Sequence, residues 1–120
     1  MYNNIFSQEK YYCKKISLCL TSFKNCLNYT DCNFYFIFQD NHTKMIRIKE
    51  DKPDMFFNLS NSKVLNDGKT TIMNYNATDI NGKTDTGNLI LDWSDMTLSF
   101  SYSSENGEVY FKYKIHEVIK

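Results

Sequence analysis

Residues 87–116 alternate apolar and polar side chains with a period of two, the pattern of strands with one buried face. Asn106-Gly107 lies inside this stretch, and both residues tolerate positive φ, so the pair predicts a two-residue hairpin turn. Reading outward from that turn sets Tyr102 opposite Phe111, Phe100 opposite Tyr113 and Leu98 opposite Ile115. The other parity sets Ser103 opposite Tyr110, Ser101 opposite Lys112 and Ser99 opposite Lys114. One face is thus apolar and aromatic and the other polar, a segregation that a one-residue slip would destroy. A turn at Trp93-Ser94 adds a third strand, with Leu91 opposite Met96, Leu89 opposite Leu98, and Gly87 opposite Phe100, where the missing side chain leaves room for the ring. The shared face holds ten residues: Leu89, Leu91, Met96, Leu98, Phe100, Tyr102, Val109, Phe111, Tyr113 and Ile115. Burying them is worth roughly 15–30 kcal/mol gross before chain entropy is subtracted. The rest of the chain must cover that face.

Earlier strands supply the cover. Residues 34–38, Phe-Tyr-Phe-Ile-Phe, are apolar on both faces, as in a central strand. A five-residue loop over 39–43 would put Phe36 and Phe38 on one face with Ile46 and Ile48. Asp67-Gly68 is a further hairpin signal, joining residues 62–66 to 70–76. Residues 54–60 read as a short strand or a turn over the core, and residues 81–86 as a polar, glycine-containing loop. Seven or eight antiparallel strands in a meander, closed as a small barrel or folded as a sandwich, follow from these short connections.

The N-terminal segment carries a different period. Tyr12, Ile16, Cys19, Phe23 and Cys26 recur at steps of four and three, a helical stripe with Ser7 as N-cap. The fold class is therefore mainly β, or α+β with a helix packed against the β body. The chain reads as a single domain over residues 1–120: a helical or leader-like segment over 1–30 and an antiparallel β body over 33–116. The same stretch holds all four cysteines, Cys13, Cys19, Cys26 and Cys32, spaced by five, six and five residues. That spacing is wrong for the closely paired ligands of structural zinc. A helix would hold Cys19 and Cys26 about 10 Å apart, too far to bond, and imply buried free thiols. An extended or looped segment would allow disulfides among the four.

Composition changes the picture little. Hydrophobic residues make up 42% of the 120 positions and aromatics 16%, enough for a packed core. One alanine against nine tyrosines and nine phenylalanines removes the strongest helix former and favours strands. Fourteen basic residues balance fourteen acidic ones, which argues against a dedicated nucleic-acid binder. No apolar run approaches the ~20 residues of a membrane-spanning helix. Lys14-Lys15 before a short apolar run vaguely resembles a leader. Ser17, Thr21 and Ser22 interrupt that run and no cleavage motif follows, so secreted, envelope and cytoplasmic locations all stay open.

Chemistry-bearing motifs are sparse. No P-loop, GxGxxG, GxSxG or HExxH occurs, so no catalytic residue, metal or cofactor is expected. His42 reads as a solvated turn residue and His116 as a surface residue beside Lys112 and Lys114. Asp92 and Asp95 read as turn carboxylates around Trp93-Ser94. Asp79, Asn81 and Asp85 form a weaker acidic set without the spacing of a calcium loop. Candidate binding residues are Trp93, at a loop tip where a lone indole either folds over the core or anchors a partner, and the stripe Tyr110, Lys112, Lys114 and His116. These readings lead to a small non-catalytic β scaffold that recognises or inhibits another protein. The alternative is a barrel-type carrier of a small apolar ligand.

Overall fold

A computed structural model describes residues 9–20, 23–105 and 107–119. Eight antiparallel strands run as a meander and close into a barrel: β1 (Glu9–Cys19), β2 (Thr30–Gln39), β3 (Lys44–Lys49), β4 (Lys52–Leu65), β5 (Thr70–Asp79), β6 (Thr84–Asp92), β7 (Thr97–Ser104) and β8 (Gly107–Ile119). Closure comes from β1, which pairs with β2 on one edge and β8 on the other. Both edges of every strand are thereby satisfied without a covering helix.

No helix forms among the described residues, which corrects the helical reading of the N-terminal segment. The buried residues of β1 are Tyr11, Cys13, Ser17 and Cys19, and the register against both neighbours shifts between Cys13 and Lys15. These buried residues share one parity, as in a strand with one buried face. Tyr12 and Ile16 of the expected helical stripe lie on the opposite, partly buried parity, and Phe23 and Cys26 lie beyond the strand. Ser7, the expected N-cap, lies outside the described residues.

The C-terminal face forms as expected, with its ladders slipped by two residues. Phe100 pairs with Phe111 and Leu98 with Tyr113 across β7–β8, while Leu91 pairs with Leu98 and Leu89 with Phe100 across β6–β7. A slip of two preserves the inward parity, so Leu89, Leu91, Leu98, Phe100, Tyr113 and Ile115 are all buried. Ser104 pairs with Gly107, whose φ is +110°, so Gly107 opens β8; Asn106, the other residue of the expected turn, lies outside the described residues. The β6–β7 loop holds four residues, Trp93 to Met96, instead of two, and it takes Met96 out of the sheet. Gly87 faces Tyr102, not Phe100. A side chain there would meet the Ser101 carbonyl oxygen at 1.8 Å and the Tyr75 hydroxyl at 2.9 Å, so a close backbone approach requires the glycine.

Two differences rearrange the other half of the barrel. Gln39 pairs with Lys44, so the β2–β3 loop has four residues, with Asp40, Asn41 and His42 all at positive φ. Phe38 then faces Met45 and Phe36 faces Arg47. One residue fewer in the loop turns Ile46 and Ile48 outward and brings Arg47 inward. Residues 54–60 belong to the 14-residue β4, and β6 begins at Thr84, inside the expected 81–86 loop.

Candidate functional site

An eight-stranded barrel encloses a space that side chains can fill or that can hold one small molecule. Here the two ends differ. At the end bearing the β2–β3, β4–β5 and β6–β7 loops, Tyr11 packs edge-on to Phe38 at 5.2 Å between ring centroids and against Trp93 at 5.7 Å. The Tyr11 hydroxyl donates to Glu9 Oε1 at 3.1 Å, and His42 Nε2 lies 2.7 Å from the same oxygen. The Trp93 amide donates to the Lys69 carbonyl at 2.8 Å, and the Asp92 carboxylate accepts the Ser94 amide at 2.9 Å. Trp93 therefore plugs this end, and Asp92 shapes the turn.

Towards the other end lies a partly open cavity of about 230 Å³. Phe57, Tyr75, Phe100, Tyr102, Phe111 and Tyr113 supply its aromatic walls, with Met55 and Ala77 between them. Phe100 is the hub: its ring lies 5.5 Å from Phe57, 5.8 Å from Tyr75 and 5.8 Å from Tyr113. Tyr102 and Phe111 stack at 6.2 Å.

Arg47 and Asp85 bring charge to the cavity lining. The Arg47 guanidinium donates from Nε to Asp54 Oδ1 and from Nη2 to Oδ2, each at 2.8 Å, and from Nη1 to the Tyr113 hydroxyl at 3.4 Å. It also lies 4.9 Å over the Phe34 ring. Asp54 reaches it because the β3–β4 register shifts at Ile48. Arg47 pairs with Met55 and Ile48 with Pro53, so Asp54 has no cross-strand partner and swings to the guanidinium. Burial works against the Arg47 charge, yet the bonds to Asp54 and Tyr113 outweigh it and hold its pKa above the ordinary value. Asp85, opposite Ala77 across β5–β6, has no ion-pair or hydrogen-bond partner among the described residues.

The Tyr75 and Tyr113 hydroxyls stay protonated at neutral pH. Burial first, and a smaller opposing effect of Arg47, leave Tyr113 pushed up to about 12. Tyr75 is raised by burial and then by the charge of Asp85. Its hydroxyl donates to the Ser101 carbonyl at 3.3 Å.

The sequence-derived candidates fall elsewhere. Tyr110, Lys112, Lys114 and His116 do line one outward stripe of β8. The β1–β2 connection engages its upper part: Phe23 meets the Tyr110 ring edge-on at 5.0 Å, and Lys112 Nζ donates to the Phe23 carbonyl at 3.4 Å. His116 meets Tyr12 edge-on at 5.9 Å, and Lys114 is exposed. Trp93, turned inward, does not join this stripe. Cys19 and Cys26 are disulfide-bonded and pin the same connection. Cys13 and Cys32 are free thiols; Cys32 Sγ donates to the Cys13 carbonyl at 3.6 Å. Burial, with the neighbouring Cys32, pushes Cys13 up to about 12.

Sequence reasoning missed Arg47 and its pairing with Asp54, and gave Asp85 only within a weak acidic loop set with Asp79 and Asn81. The one available signal was composition: a lone arginine among thirteen lysines is a candidate for a bidentate interior pair. No protein-family model, curated protein or solved structure matches the chain.

Proposed function

We propose that this protein is a binding module that holds a small, largely apolar molecule inside its own barrel. The observation that carries the reading is the unequal filling of the interior, closed by Trp93 at one end and left with an aromatic cavity towards the other. Its volume, about 230 Å³, lies just below the usual ~300–1,000 Å³ of small-molecule sites, so the ligand is small. Binding fits the lining better than catalysis does. The buried tyrosines hold their protons far above neutral pH and Arg47 is committed to Asp54, whereas a general acid or base works best with a pKa near the operating pH.

tert-Butylbenzene, a compact neutral molecule, tests this reading. It should shift the NMR resonances of Ala77 and Met55 and raise the thermal midpoint. Ala77→Phe should fold and lose both responses. Absence of any shift in the wild-type spectrum would remove the proposal.

Recognition of another protein is a second reading. It is favoured by the outer face of β1–β4, where Tyr12 pairs with Tyr35, Tyr35 with Ile48, Ile37 with Ile46 and Ile46 with the exposed Phe56.

A further inference from the structure

We propose that the cavity is selective for a small organic cation, an amine or quaternary ammonium on an apolar body, with Asp85 as its counter-charge. The proposal rests on the ligand-binding reading above and adds the ligand's charge.

The starting point is charge balance. Arg47 and Asp85 both line the cavity, and Asp54 bonds Arg47, but the two carboxylates are not equivalent. Asp54 takes two of the three Arg47 nitrogens in a bidentate pair and Tyr113 takes the third. Both partners are thereby satisfied. Asp85 is left over, on the inward parity of β6 with Gly87 and Leu89, partly shielded from solvent. The lining contains no lysine or histidine that could neutralise it. Glu108, which contributes to the raised pKa of Tyr75, adds negative potential near the same hydroxyl.

The walls agree with the charge. Six aromatic rings surround the space, and their faces carry negative quadrupole density that attracts a cation. The stacked Tyr102–Phe111 pair and the hub ring Phe100 can enclose an ammonium on more than one side. The main competing assignment is an anion drawn to Arg47. It fails on geometry, because the guanidinium fork already holds a carboxylate and the anion would share the cavity with Asp85.

Phenyltrimethylammonium and tert-butylbenzene have nearly the same shape and differ in charge, so a calorimetric comparison isolates the point. The wild-type protein should bind the cation about tenfold or more tightly than the neutral molecule, as expected for a partly desolvated cation–aromatic contact with a carboxylate nearby. Asp85→Asn should abolish that preference and keep the neutral affinity. Tyr102→Leu should lower cation affinity several-fold with little change for tert-butylbenzene, because it keeps bulk and removes the ring. Equal affinity of the two probes, or a preference for phenylacetate over both, would overturn the proposal while leaving the ligand-binding reading intact. Failure of every probe would remove both.

Discussion

At the closed end of the barrel Tyr11, Phe38 and Trp93 interlock, and the polar groups nearby, Glu9 and His42, pair with each other above the rings. Towards the open end the same residue types occur, yet a cavity of about 230 Å³ remains. The difference lies in the small residues and the charges. The chain's sole alanine, Ala77, lines the cavity, and Gly87 leaves the Ser101 carbonyl free to approach. Arg47 is tethered to Asp54 and Tyr113, so its guanidinium is not free to spread into the space. One end thus maximises contact and the other holds a shaped space. Stability and binding are therefore separable along one barrel axis.

The largest effect should come from the closed end. Phe38, 2% exposed, sits between Tyr11 and His42. Phe38→Ala should cost about 3–5 kcal/mol in chemical denaturation. Phe111→Ala, at the cavity wall and only half-buried, should cost clearly less, about 1 kcal/mol. Equal losses would dissolve the distinction between the ends.

An intermediate effect sharpens the role of the interior pair. Arg47→Met strands the Asp54 carboxylate and should cost about 1–3 kcal/mol, the lower range because both side chains keep 21% exposure. The double variant Arg47→Met/Asp54→Leu should recover most of that loss in a urea midpoint. A double variant as unstable as the single one would mean that the pair holds the bulge at Asp54 in shape, not merely itself.

The smallest effect is silent at neutral pH. Tyr11, Tyr75 and Tyr113 all have raised pKa values, with burial the leading cause in each. An unfolded tyrosine titrates near 10, whereas folded Tyr113 holds its proton to about 12. The unfolded chain therefore binds fewer protons in this window. Stability is fully present below pH ~10 and falls as the pH rises towards ~12. Ultraviolet titration should show Tyr11, Tyr75 and Tyr113 ionising late, together with loss of the fold. These three ionising near pH ~10 in a folded protein would contradict the burial of both ends.

How much could be read in advance depended on the range of the determinants. The inward face of β6–β8 was legible because parity alone selects it; a two-residue error in each register left Leu89, Phe100 and Tyr113 pointing inward. The turn lengths were less legible, since residues at positive φ, such as His42 and Met96, extended loops whose sequences allow several closures. That was harmless where the error was even. It was decisive at β2–β3, where one residue exchanged Ile46 and Ile48 for Met45 and Arg47.

By itself, then, the sequence determined an antiparallel meander with one greasy face, because side-chain alternation and turn chemistry act over a few residues. Tertiary structure alone decided that residues 9–19 are a strand, since that segment is specified by two edges from β2 and β8 rather than by its own propensity. It also decided the site. Arg47, Asp54 and Asp85 come from three strands, and a bulge and a loop length that no local pattern encodes set how they meet the cavity. Local physics fixes which side of a strand is apolar. Barrel closure fixes which polar residues end up inside.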